Sequence, residues 1–168
     1  MSARVIMVAS GKGGTGKSTV SVLTGAALAA RGRRVLLVEL DSALRSVDYI
    51  AGVYGKTVYD VEDVLCGRCD AGKALVESPL YPGLFVISAP YSGGQVAAGA
   101  LQSFLQQAGG VFDDIVLDTA AGMGAPFEAA RAAASLALIC ITPDPVAQRD
   151  GRIVCDALLE GGCEQVRL

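Results

Sequence analysis

Gly11-Lys12-Gly13-Gly14-Thr15-Gly16-Lys17-Ser18-Thr19 is the stretch on which the fold turns. An apolar run, Val5 to Ala9, precedes it, and another, Val20 to Ala30, follows. Strand, glycine loop and helix in that order form the context in which a Walker A match becomes a phosphate site. Glycines let the backbone curl so that successive N–H groups point inward at phosphate oxygens. The helix behind the loop adds its positive end. Lys17 has the reach for β- and γ-phosphates, and the Ser18 hydroxyl can ligate Mg²⁺. The bland alternative is a glycine-rich turn without a ligand. Four fixed positions in the right flanking context argue against it.

Outward from the loop, the apolar run at 4–9 reads as a first strand, and 17–31 as a helix that is apolar nearly all round and so largely buried. Gly32 stops it. Val35 to Val38 has the continuous apolar character of a central parallel strand, which completes a right-handed βαβ unit. That strand ends in Glu39-Leu40-Asp41. In open α/β sheets ligands sit beyond the carboxyl ends of strands, which puts Glu39 and Asp41 on the loop's side. A later run, Phe112 to Asp118, is an apolar strand ending in Asp, the Walker B pattern. Its carboxylate is expected to hold Mg²⁺ through water, close to Ser18.

The remaining chain reads as alternating elements. A short helix has its apolar face at positions 58, 61, 64 and 65. Strands are expected at 84–88 and 136–142, and helices at 95–107, 128–135 and 145–160. A last strand begins at 165. Cys66-Gly67-Arg68-Cys69 is a lone C-x-x-C. One pair cannot complete a tetrahedral zinc site, so it reads as a helix-ending turn, with metal or redox use as the rival. Cys140 reads as a small buried apolar residue. The fold class is therefore α/β: a mostly parallel twisted sheet flanked by helices, one P-loop domain over 1–168.

Composition sets limits. A chain of 168 residues suffices for one domain with a real core. It is 52% hydrophobic and 18% charged, which argues against disorder. A net charge of −3 without a basic tract leaves no electrostatic footprint for nucleic acid. No apolar stretch reaches membrane-spanning length, and the first strand leaves no room for a signal peptide, so a cytoplasmic protein is expected. Five cysteines fit reduced thiols there. With no histidine, acid–base work falls to carboxylates or to substrate phosphate.

Lys12 makes the loop GKGGTGKST, which is the deviant Walker A of the MinD/ParA group of ATPases, and the sequence resembles them. Further text extends the likeness, closest to the MinD members: Leu44-Arg45, Asp48, Ile50 and Gly52 after the strand-end acids, Val58-Tyr59-Asp60 beyond them, and Thr142-Pro143-Asp144-Pro145 with Arg149-Asp150. Asp118-Thr119-Ala120-Ala121-Gly122 is similar to the group's switch II, with Ala120 where the group has Pro. The resemblance implies ATP and Mg²⁺ as ligands and hydrolysis with water as nucleophile. It implies that residues 11–19 hold the nucleotide and that Lys12 reaches a partner's ATP across an ATP-dependent homodimer. It gives Asp41 the role of positioning water, and places Glu39 near Mg²⁺ with Ser18 and Asp118. The group usually has Asp at position 39, one methylene shorter. Gly122 becomes a γ-phosphate sensor and hinge.

The biological role so implied is spatial regulation of cell division, with a membrane surface at the inner face of the cell membrane and a regulatory protein as partners of a full-length form. Rival readings are a relative serving flagellar or pilus placement, an ATP-switched scaffold, and an iron–sulfur carrier. Members of the group run on for about another hundred residues, so the chain is expected to be a C-terminally truncated fragment.

Overall fold

The computed structural model describes residues 3–42, 45–91 and 97–168. The strands are β1 (Arg4–Ala9), β2 (Val35–Glu39), β3 (Val76–Glu77), β4 (Leu84–Ile87), β5 (Asp114–Asp118), β6 (Leu136–Ile139) and β7 (Gln165–Arg167). The helices are α1 (Lys17–Ala29), α2 (Ser46–Ile50), α3 (Val61–Leu65), α4 (Ala71–Ala74), α5 (Ala98–Ala108), α6 (Ala125–Arg131) and α7 (Pro145–Glu160). The strands form one sheet in the order β3-β4-β2-β5-β1-β6-β7. All pairings are parallel except β3 with β4.

The alternation of side chains along β1 and β2 divides the core in two. Met7, Ala9, Leu36 and Val38 face one side, where they join Leu101, Phe104, Phe127, Val154 and Leu158 of α5, α6 and α7. Val8, Val35 and Leu37 face the other, with Val22 and Ala29 of α1 and Val47 of α2. Helices thus cover both faces of the sheet, which is why β2 and β5 are buried at every position. At the far end from the loop, the buried Asp114 carboxylate accepts from Arg4 (2.8 Å) and from Arg33. That pairing ties β1, β5 and the entry to β2 together.

Several expectations are corrected. α1 stops at Ala29, and it is not buried all round: Leu23 is 51% exposed, while Lys17, Ser21, Val22, Gly25 and Ala29 are buried. The helix lies on one face of the sheet only, and its small residues let it lie close. A Cβ on Gly25 would come 2.8 Å from the Leu84 side chain. Val58 does not join the helical face; it is 79% exposed, because the helix begins only at Val61. The start is fixed by a capping box in which Asp60 and Asp63 each accept the other's backbone N–H. Leu65 ends α3, Cys66 caps it and Gly67 turns the chain at φ 68°, so the C-x-x-C is a helix-ending turn.

β3 was not foreseen, since two residues carry no period. The strand expected at 84–88 closes at Ile87, and the one at 136–142 closes at Ile139. The helix expected at 128–135 starts earlier, at Ala125, with Pro in its first turn. The one expected at 95–107 runs from Ala98 to Ala108, and residues 95 and 96 lie outside the described ones, as does Leu44. Cys140 is only partly buried, and Cys163 is the buried thiol. Among the described residues no helix is long and apolar enough to cross a membrane.

Candidate functional site

β1 delivers the chain to the carboxyl edge of the sheet, and α1 leaves from the same place. Between them the glycine loop borders a cleft of about 360 Å³ lined by Ser10, residues 13–19, Asp41, Ser46, Ile50 and Ala121. Gly16 caps α1 at φ 86°, in the left-handed region that a side chain disfavours, which is why glycine stands there. The amide end of the 13-residue helix α1 therefore faces the cleft. Thr15 Oγ1 is buried with no hydrogen-bond partner among the described residues, an unsatisfied group in the cleft wall.

The sheet register brings the acids together. Asp118 pairs with Val8 on one side and Glu39 on the other. Its Oδ2 accepts from the Ser18 hydroxyl (2.8 Å) and its Oδ1 from the Ser21 hydroxyl (2.7 Å). The Lys17 ammonium, itself buried, lies 3.7 Å from both Asp118 and Asp41. Burial pushes the Asp118 pKa up, while Lys17, Ser21 and Ser18 act to lower it. Ser21 was missed from the sequence because it lies beyond the motif; its spacing of four from Lys17, on a helix expected after the loop, is the signal that would have found it.

Among the described residues no cluster of three or more His, Cys, Asp or Glu side chains could cage a metal. A hydroxyl and a carboxylate in contact are instead the donor set for a hard cation that keeps water and takes phosphate oxygens, which fits Mg²⁺.

The other expected residues divide. Gly13, Gly14, Thr15, Gly16, Lys17, Ser18, Thr19 and Asp41 line the cleft, whereas Gly11 and Lys12 do not. Lys12 is 49% exposed and lies 3.8 Å from Asp144, the residue that caps α7. Gly122 has φ 85° and its N–H donates to the Ser10 carbonyl (2.9 Å); it does not line the cleft, whereas its neighbour Ala121 does.

Glu39 differs most from expectation. It is 1% exposed; Oε1 accepts from the Val47 N–H (3.1 Å) and Oε2 from the Ala89 N–H (3.3 Å). Burial drives its pKa up to about 8, with Asp48 and Asp118 adding to the rise and the two backbone N–H groups opposing it. Both Glu39 oxygens are engaged by backbone N–H groups of other segments, and the side chain does not line the cleft.

Residues 6–151 match the model of the CobQ/CobB/MinD/ParA nucleotide binding domain. The septum site-determining protein MinD of Synechocystis is 40% identical over 149 residues, covering 88% of this chain and 56% of that protein. The chain thus spans about half the length of the curated relatives it matches. A solved MinC:MinD cell division protein complex from Aquifex aeolicus is similar at 32% identity with a TM-score of 0.89, covering 98% of this chain and 67% of that one. A cobyrinic acid a,c-diamide synthase from Mycobacterium smegmatis, solved with bound ADP and magnesium, is similar at 26% identity and a TM-score of 0.80, covering 98% of this chain and 71% of that one.

Proposed function

The chain belongs to the CobQ/CobB/MinD/ParA nucleotide-binding family, and from that premise we propose that it binds and hydrolyses Mg-ATP as a MinD-like ATPase. The observation that carries the reading is the convergence of Ser18, Lys17, Asp41 and Asp118 at one wall of the cleft, with Ser18 and Asp118 in contact from 100 residues apart.

Each group has a task. Loop N–H groups from 13 to 18 and the α1 terminus receive phosphate oxygens. Lys17, now shared between two carboxylates, turns to the phosphates, where an ammonium in a partly dehydrated site stabilises charge on the transferring group. Ser18 and Asp118 hold Mg²⁺, which when bound neutralises charge shared between the phosphates. Asp41 is freed from Lys17 by that movement and orients the attacking water. Lys12 stands outside its own cleft and serves a partner's nucleotide, so ATP joins two copies. In a longer chain this ATP-made dimer acts in spatial regulation of cell division, on a membrane surface and with a regulatory protein.

Single-turnover hydrolysis tests the catalytic part. Asp41→Ala is expected to retain Mg-ATP binding within a few-fold and to lose turnover by about 100-fold, the lower end of what a positioned proton acceptor contributes. Unchanged turnover in that variant removes Asp41 from the mechanism. Tight binding with no turnover in the unmutated protein replaces the enzyme by a nucleotide-switched scaffold.

A further inference from the structure

α2 is only five residues long, from Ser46 to Ile50, yet Ser46 and Ile50 form part of the cleft wall opposite the loop. A helix of that length has no stability of its own. Its place comes from the rest of the protein: Val47 packs in the core on the α1 side of the sheet, and a set of polar anchors adds to that. Glu39 grips Val47 in the first turn of α2 with one oxygen and Ala89, just past β4, with the other. Asp48, equally buried, accepts from the Ser88 hydroxyl (2.5 Å) and from Arg45 (2.8 Å). Arg45 in turn donates to Thr57 (3.0 Å) and lies 3.6 Å over the ring of Tyr91. Residues 45–48 are thus fastened at adjacent points to 88–91, and Glu39 is the only one of these anchors that also sits on the strand leading to Asp41.

We infer that Glu39 is a positioning residue for the nucleotide cleft: it spans from β2 to both α2 and the end of β4, and so sets the wall formed by Asp41, Ser46 and Ile50 before any ligand arrives. The inference rests on the cleft being the nucleotide site, but its primary test does not. Side-chain length matters here. An Asp at this position is one methylene shorter, and from the same backbone it is expected to lose at least one of the two amides on separate segments.

The test compares Glu39→Gln and Glu39→Asp with the unmutated protein, free of nucleotide and metal, by amide hydrogen exchange resolved by NMR. Both variants are expected to exchange roughly tenfold faster at Val47 or Ala89, the equivalent of one lost hydrogen bond, with β5 and α1 amides unchanged. A second readout uses Mg-ATP. The Mg²⁺ concentration at half-saturation stays within about twofold, while kcat falls, as expected when a wall moves and not a ligand. Wild-type exchange at both amides in folded variants overturns the inference. So does full rescue by Asp with a Mg²⁺ shift confined to Gln, because that outcome returns Glu39 to the metal side. Should Glu39→Gln fail to fold, Glu39→Asp keeps the carboxyl group and carries the same exchange test. Failure of the cleft reading alone abolishes Mg-ATP binding in all three proteins and leaves the exchange difference intact.

Discussion

Asp118 receives two hydroxyl hydrogen bonds, and only one of the donors, Ser18, stands in the phosphate-loop motif. The Ser21 hydroxyl has a single proton and two acceptors within reach, Asp118 Oδ1 at 2.7 Å and the Lys17 carbonyl at 3.0 Å. The carboxylate is the nearer and the stronger acceptor. With that proton Ser21 holds one oxygen of Asp118, leaving the other to Ser18 and to a cation. Ser21→Ala deletes the bond and leaves a buried carboxylate oxygen with one donor fewer, at a cost of about 1–3 kcal/mol. Urea unfolding of the nucleotide-free protein should show a loss of that size, and the Asp118 pKa should rise further, since Ser21 acts to lower it. Unchanged stability together with an unchanged titration would mean that the Lys17 carbonyl is the acceptor and that Asp118 does not depend on Ser21.

At the scale of elements, legibility followed periodicity and length. α7 was expected at 145–160 and is found at Pro145–Glu160, because Pro, a capping Asp144 and the closing glycines mark both ends of a long amphipathic run. β1, β2 and β5 were equally plain, since strands covered on both faces show unbroken apolar text. β3 has two residues and owes its existence to β4, so nothing local announces it. α1 was misjudged in burial because apolar residues all round do not say which face meets the sheet; the small residues Ser21 and Gly25 do. At the site, the loop, Asp41 and Asp118 were legible as motif and strand-end positions. Glu39 was legible as a carboxylate at the right strand end, but its direction depends on Val47 and Ala89, which come near only after β2, α2 and β4 are assembled. The anchoring network escaped for the same reason: Arg45 and Asp48 stood out only as part of a resemblance, Ser88 and Thr57 not at all, and their bonding is visible only in contact.

For the whole molecule, the proposed dimer and the proposed nucleotide site make separable demands. Lys12 lies outside the cleft of its own chain, half exposed beside Asp144, so it costs little where it stands. Its use is with a second copy, and only when phosphate charge is present to receive it. Light scattering on the Asp41→Ala background is expected to show ATP doubling the mass, and Lys12→Ala on that background is expected to stay monomeric while binding ATP. Equal dimerisation with and without Lys12 would make it a solvated surface charge. The nucleotide site comes before all of this, and the most direct measurement of it is isothermal titration of Mg-ATP into the unmutated chain and into Lys17→Ala. Lys17 is the buried ammonium 3.7 Å from each of the two acids at the loop, and its removal takes away a positive side chain that those acids share with an incoming phosphate. The account predicts a saturable heat of binding for the unmutated chain that falls by at least about tenfold in affinity for the variant, the loss of one charge-assisted contact. Equal affinity in the two proteins would contradict it.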